Sequence, residues 1–187
     1  MRILNFIKMV EEVKYLTEGN ICSANYPWVW STWVKAKILK EHGDWLIASA
    51  CLPYVNPDLF NKLAKGRVIL LACPERESPT HYGKIASMIR SCKPKSITVV
   101  TIEGSPHCFT LHASINEASY ILGMNVKRKH YVVVNGEELV EIKPEAVRVA
   151  RYLHLVNELI DKNPWILDKL VKYSLEHQQE LKLRREN

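Results

Sequence analysis

Short runs of apolar residues alternate with helix-forming segments from residue 45 onward. Three runs, residues 45–51, 67–73 and 96–102, are continuously apolar or β-branched. Continuous apolar runs predict strands that are buried on both faces. Strands that alternate with helices predict right-handed crossovers into a parallel sheet. We therefore expect an α/β fold, a three-layer sandwich with a mainly parallel sheet.

Helix boundaries follow from prolines, caps and glycines. Asn56-Pro57 opens a helix that Gly66 closes, and Ser105-Pro106 opens one that Gly123 ends. Ser78-Pro79 opens a third helix, which reaches about Ser91.

The carboxyl-terminal part of the predicted sheet contains a hairpin. Residues 129–134 form a fourth strand, and Asn135-Gly136 predicts a turn into an antiparallel strand over 138–142.

Helices flank this core at both ends. The amino-terminal helices are predicted over residues 1–17, where apolar residues recur on one face, and over 26–39. The carboxyl-terminal helices are predicted over 144–161 and from Pro164 to near Leu183. The helix from Pro164 has Ile166, Leu170 and Tyr173 on one face, which predicts docking on the domain or pairing with a second copy.

Length and composition favour one domain over two. The chain has 187 residues, of which 47% are hydrophobic and 25% charged. We interpret residues 1–187 as a single domain, with 1–44 as amino-terminal helices, 45–142 as the sheet core and 143–187 as carboxyl-terminal helices. No apolar run is long enough to span a bilayer, and residues 1–16 do not read as a signal peptide. The expectation is a cytoplasmic protein without a membrane partner.

The most informative residues are three cysteines near the ends of predicted strands. Cys51 and Cys73 end the first two strands, and Cys108 lies in the first turn of the helix after the third. The carboxyl ends of parallel strands share one edge, where such sheets bind ligands. Five cysteines in a cytoplasmic chain favour free, metal-bound or catalytic thiols over disulfides.

Three further residues are candidate ligands at the same edge. His107 adjoins Cys108, His112 stands one helical turn further on, and Cys22 follows a loop that could fold over the same edge. Thiolates and imidazoles are the soft ligands that zinc and iron–sulfur clusters select. A helix N-terminus also favours a thiolate.

The alternative interpretation is that these cysteines fill buried strand ends as small hydrophobic residues. No C-x₂-C pair is present to decide between the two. Cys92 continues the stripe of Tyr82, Ile85 and Ile89, and is predicted to lie in the core.

Several segments together resemble a known domain. They are residues 51–54 (CLPY), 56–60, 66–74 (GRVILLACP), 95–100, Pro106-His107-Cys108 and 134–137. This set is similar to the α/β domain that follows a ferredoxin-like 4Fe–4S module in bacterial and archaeal iron–sulfur proteins. The resemblance covers about residues 51–142.

The resemblance implies iron–sulfur or metal binding linked to electron transfer, with Cys51, Cys73 and Cys108 holding zinc or a cluster. The ferredoxin-like module has no counterpart in this sequence, which implies a separate ferredoxin or oxidoreductase partner. His107 stands where the family has the first of two cysteines, and Glu75 replaces its usual lysine. A set of ligands that no longer binds metal is the other interpretation of these departures.

Other functions are less favoured by the sequence, which names no reaction and no catalytic residue. The net charge is +6, but much of it lies in residues 127–129 and 182–185, which are typical of solvated surface, so nucleic acid is not the favoured partner. A non-catalytic interaction or nucleic-acid-binding protein with buried cysteines remains the alternative function.

Three minor hypotheses rest on single features. Gly104-Ser105 could place a phosphate at a helix N-terminus. Cys108 could be a nucleophile activated by His112 or His81. The aromatic cluster at Tyr26, Trp28, Trp30 and Trp33 could stack bases, although anchoring the amino-terminal segment on the sheet is the simpler role.

Overall fold

A five-stranded sheet forms the centre of the molecule. The computed structural model describes residues 26–77 and 81–186. The strands are β1 (Asp44–Ser49), β2 (Val68–Ala72), β3 (Ser96–Ile102), β4 (Arg128–Val134) and β5 (Glu138–Ile142). Their order across the sheet is β2-β1-β3-β4-β5, with the first four strands parallel and β5 antiparallel to β4.

Helices connect and follow these strands. They are α1 (Ile38–Glu41), α2 (Leu52–Val55), α3 (Pro57–Ala64), α4 (His81–Cys92), α5 (Pro106–Leu122), α6 (Pro144–Val149), α7 (Leu153–Lys162), α8 (Trp165–Tyr173) and α9 (Leu175–Glu186). The predicted caps form: Asn56 accepts a bond from the Leu59 amide, and Ser105 accepts one from the Cys108 amide. Gly123 ends α5 with a left-handed residue, φ 59°.

Apolar side chains cover both faces of the sheet. On one face, Ile47 and Val99 pack with Ile89 of α4 and Ile115 of α5. The other face buries a second cluster under α2 and α3, in which Phe60 is fully buried. These layers confirm the predicted three-layer α/β sandwich, because strands buried on both faces need helices on both sides.

The hairpin between β4 and β5 is fixed at its turn. Asn135 and Gly136 have positive φ values of 51° and 77°, which asparagine and glycine tolerate best. The Asn56 side chain donates a 3.0 Å bond to the Gly136 carbonyl and so ties this turn to the start of α3.

The helix predicted over residues 26–39 was wrong except for its last two residues, 38 and 39, which belong to α1. The segment before α1 instead covers the edge of β2. The Leu71 amide donates to the Pro27 carbonyl, and the Val29 amide donates to the Leu71 carbonyl, each at 2.9 Å. An edge strand has backbone N–H and C=O groups without partners. Residues 27 and 29 bond to those groups of β2 and so do not make the hydrogen bonds of a helix. The helix predicted over residues 1–17 lies outside the described residues.

The carboxyl-terminal helices form, but each prediction is split in two. The first becomes α6 and α7, and the second becomes α8 and α9 with a break at Ser174. The Ser174 hydroxyl accepts a bond from the His177 amide at 3.1 Å, which starts a new helix there. No residue of α7 or α8 is buried.

Candidate ligand site at the carboxyl edge of the sheet

Two of the three cysteines stand directly beyond the ends of β1 and β2. The Ala50 amide donates to the Ala72 carbonyl at 2.9 Å, which carries the pairing of these strands one step past Ser49. Cys51 and Cys73 follow those two alanines. They therefore begin the loops at this edge, rather than ending the strands as predicted.

The backbone after each of these cysteines is held in a tight turn. The Cys73 carbonyl accepts bonds from the amides of Arg76 (3.0 Å) and Glu77 (2.8 Å), and the Cys73 amide donates to Glu77 Oε2 at 3.0 Å. Glu77 Oε1 accepts a bond from the Trp30 amide at 3.1 Å. The Cys51 carbonyl accepts two bonds at 3.0 Å that start α2.

The strand order places Cys51 and Cys108 after two neighbouring strands, β1 and β3. The chain runs from β1 to β2 on one side, then crosses to β3 on the other side of β1. Open parallel sheets bind ligands where the strand order reverses in this way. Cys51 follows β1, and Cys108 is the third residue of α5, which follows β3.

The thiols are close enough to affect one another electrostatically. Partial burial raises the pKa of Cys51, and the negative charges of Cys73, Cys108 and Glu75 raise it further. Cys51 is exposed, Cys73 is half-buried and Cys108 is buried. Cys73 and Cys108 are thus near enough to Cys51 to act on its thiol.

Glu75 is a neighbour of this edge that sequence reasoning did not select as a ligand. Its Oε2 lies 3.5 Å from His107 Nδ1, and both side chains are exposed. The signal was available, because Glu75 stands two residues after Cys73 and interrupts the family pattern. The donor set at this edge is therefore three thiols, one imidazole and one carboxylate.

These donors are not gathered around a single point. Within residues 26–77 and 81–186, no group of three or more His, Cys, Asp or Glu side chains is arranged to hold a metal ion. Cys22, the other predicted cysteine ligand, lies outside that part of the chain.

His112 does not offer a ring nitrogen to the cysteine edge, which corrects its prediction as a ligand. Its Nε2 lies 2.8 Å from Thr101 Oγ1, and its Nδ1 lies 2.9 Å from His130 Nδ1. Burial lowers the pKa of His112 to about 4. Burial and the neighbouring His112, Arg128 and Arg148 lower the pKa of His130 to about 3.

The contact between the two imidazoles requires one proton between their Nδ1 atoms, so one ring donates and the other accepts. The lowered pKa values of both histidines keep the rings neutral near pH 7. His130 Nε2 is buried without a hydrogen-bond partner among the described residues. Sequence reasoning missed His130, because it lies 18 residues away on a strand.

A cavity of about 200 Å³ opens beside these histidines, between the ends of β3 and β4 and helices α5 and α6. Thr101 and His112 line it together with Phe109, Val132 and Val147. Its walls are mainly apolar, and the hydrogen bonds of His112 are already made within the protein. The cavity therefore adds no ligand to the cysteine edge.

Cys92 lies apart from the other described cysteines, as predicted. It packs half-buried against the cluster under α4 and α5, and its thiol donates a 3.2 Å bond to the Val34 carbonyl. Burial raises its pKa.

Comparison with known proteins agrees with this architecture. The family model for the Rossmann-like domain matches residues 36–184, which is most of the chain, and the protein therefore belongs to the Rossmann-like domain family. The match carries no link to iron–sulfur proteins, so that resemblance stays a prediction. No curated protein and no solved structure matched the chain.

One further observation bears on localisation. In the parts of the chain that the structure describes, none of the helices has the length and apolar character needed to cross a membrane.

Proposed function

We propose that this protein binds an iron–sulfur cluster through Cys51, Cys73 and Cys108, and that it serves in electron transfer. The observation that supports the proposal is that Cys73 and Cys108 lie near enough to Cys51 to raise its pKa, at the edge where β1 and β2 end. Zinc bound by the same thiols is the second outcome that we consider.

The charges at this edge favour a cation. As thiolates, Cys51, Cys73 and Cys108 would stand beside the Glu75 carboxylate, and none of the described lysines and arginines contributes to the pKa shift of Cys51. Nearby like charges oppose the ionisation of a thiol. A bound cation offsets that repulsion, and thiolates select zinc and iron–sulfur clusters among cations.

A cluster and a single zinc ion need different spacings of the donor atoms. Tetrahedral zinc with bonds of about 2.3 Å requires thiolate sulfurs within roughly 4 Å of one another. The described side chains contain no such grouping. A cluster takes thiolates that are more widely spaced, each on its own iron.

The surroundings offer further donors that fit such a group. Glu75 or His107 would complete a set of three thiolates. Ser49, the last residue of β1, is buried and its hydroxyl has no hydrogen-bond partner among the described residues. Hydrogen bonds to cluster sulfurs tune reduction potentials, and a hydroxyl is able to supply one.

A cluster supplies one-electron transfer when it is bound. Because Cys51 and the side chains of Glu75 and His107 are exposed, these residues would hold it near the surface, within reach of another protein. We propose a separate ferredoxin or oxidoreductase as the electron-transfer partner.

The test is metal analysis of protein purified without oxygen. Iron, sulfide and zinc are measured per chain, together with the visible spectrum, before and after reconstitution with ferrous iron and sulfide. We expect stoichiometric iron and sulfide, with an absorption that bleaches on reduction. The triple variant Cys51→Ser, Cys73→Ser, Cys108→Ser should lose both.

Cys92→Ser is the matched control, because it removes a described thiol away from this edge. It should keep the wild-type metal content. Stoichiometric zinc without iron would refute the cluster and support zinc binding by the same thiols. Equal metal content in the wild type and the triple variant would refute metal binding here and favour the alternative of structural cysteines in a non-catalytic interaction protein.

A further inference from the structure

The carboxyl-terminal helices leave a large apolar surface uncovered. Ten large apolar side chains between Tyr152 and Leu175 are exposed, each with 37% to 78% of its surface open. They include Leu153 and Leu159 of α7, and Trp165 and Leu170 of α8. Soluble monomers rarely expose contiguous apolar patches beyond a few hundred Å².

The two helices are too short to be stable without packing. Helices α7 and α8 have ten and nine residues, and neither contains a buried residue. Isolated helices of this length are marginal in water, and amphipathic helices in proteins gain most of their stability from packing. A partner surface is therefore expected on their apolar side chains.

The exposed apolar area of these helices is as large as the area that each partner buries in a standard protein interface. A large side chain of this kind has about 200 Å² to bury. Ten such side chains, each about half open, amount to on the order of 1,000 Å². A standard protein interface buries about 800 Å² per partner.

Helices α7 and α8 carry net charges of opposite sign. Helix α7 carries Glu158, Asp161 and Lys162, so its net charge is −1. Helix α8 carries Asp168, Lys169 and Lys172, so its net charge is +1. In a twofold interface, a contact of α7 with α8 of the other copy occurs twice, once in each direction. Opposite net charges favour this pairing over α7 with α7 or α8 with α8.

Helix α9 has the same property along its length. Its first half carries Glu176 and Glu180, with a net charge of −2, and its second half carries Lys182, Arg184, Arg185 and Glu186, with a net charge of +2. Antiparallel pairing of two copies sets acidic halves against basic halves.

We propose that helices α7 to α9 form a twofold interface with a second copy of this chain, with α7 of one copy packed on α8 of the other. The proposal is independent of metal binding at the cysteine edge.

Sedimentation equilibrium of the full chain tests the proposal. We expect twice the chain mass of 21.6 kDa, with dissociation on dilution. The double variant Leu159→Lys, Leu170→Lys should be monomeric at concentrations where the wild type is dimeric. Tyr120→Lys on α5, which changes an exposed aromatic residue outside these helices, should dimerise like the wild type.

If the double variant folds poorly, an exchange of charges provides a second test. Lys172→Glu should weaken the dimer by about two- to fivefold, and adding Asp161→Lys to the same chain should restore it. A wild-type chain that remains monomeric at all concentrations would overturn the proposal, leaving residues 1–25 or another protein to cover the helices. A dimer that none of these changes weakens would also overturn it.

Discussion

Two polar clusters flank the first turns of α5, and they differ in their hydrogen bonding and in their exposure. Toward β4, His112 bonds with Thr101 and His130, and all three side chains are buried. Toward β1, Cys51 and Cys73 lie at an edge that is partly open, where burial and the charges of Cys73, Cys108 and Glu75 raise the pKa of Cys51.

The difference separates a structural cluster from a candidate site. Both ring nitrogens of His112 have hydrogen-bond partners inside the protein, whereas His130 Nε2 has none among the described residues. Neutral rings suit a buried position. The cysteine edge holds donors that repel one another as anions and that bind soft cations. Histidines therefore contribute to stability in this protein, and cysteines are the groups we expect to bind a ligand.

The largest effect we expect is on folding when the histidine cluster is broken. His112→Ala removes two buried hydrogen bonds and leaves a cavity, so it should lower the free energy of unfolding by about 2–4 kcal/mol. Urea unfolding followed by far-ultraviolet circular dichroism measures this.

His107→Ala is the matched control, because its ring is exposed at the cysteine edge. It should change the free energy of unfolding by less than about 0.5 kcal/mol. Equal losses from the two substitutions would remove the distinction between the clusters.

The next effect is the pH dependence of stability. His112 and His130 have folded pKa values of about 4 and about 3, below the usual 6.5. The unfolded chain therefore takes up protons first as the pH falls. The stability that these groups contribute is complete above about pH 6.5 and is lost progressively toward pH 4, with a limiting slope of about 1.4 kcal/mol per pH unit for each histidine.

Urea midpoints between pH 7.5 and pH 4.5 measure this slope. The double variant His112→Gln, His130→Gln should be less stable at pH 7.5 and should show a flatter profile over that range. Parallel profiles for the two proteins would mean that the histidine pair does not govern the acid sensitivity.

The sequence predicts the sheet well because its signals are local. Each buried strand is a short continuous run, and Asn135-Gly136 has the left-handed preference that its turn requires. The helix over residues 26–39 failed because the hydrogen bonds that the Pro27 carbonyl and the Val29 amide make with Leu71 are non-local. The breaks within the carboxyl-terminal helices were also missed.

The site was predictable only in part, for the same reason. The shared edge of parallel strands follows from the fold, so Cys51, Cys73 and Cys108 could be grouped from their positions alone. The partner of His112 could not be found, because His130 lies on a different element and reaches it through the core. Glu75 reaches His107 across two loops, and no spacing rule connects them.

A smaller effect concerns the reactivity of Cys51. Although it is exposed, its raised pKa reduces its thiolate fraction, so we expect slow alkylation by iodoacetamide at pH 7.5. Glu75→Gln removes one of the charges that raise the pKa and should speed alkylation of Cys51 by roughly twofold, as followed by mass spectrometry.

Glu138→Gln on β5 is the control, because Glu138 is not among the groups that shift the Cys51 pKa. It should leave the alkylation rate unchanged. If Glu75→Gln also has no effect, the carboxylate does not act on this thiol.

The most direct test of the ligand site is thiol footprinting of the full chain. Native protein is treated with N-ethylmaleimide before and after reconstitution with ferrous iron and sulfide, and each cysteine is quantified by mass spectrometry. We predict that Cys51 and Cys73 become protected in proportion to the iron bound, whereas Cys92 reacts at an unchanged rate. Reaction of Cys51 and Cys73 at the same rates with and without reconstitution would contradict the account.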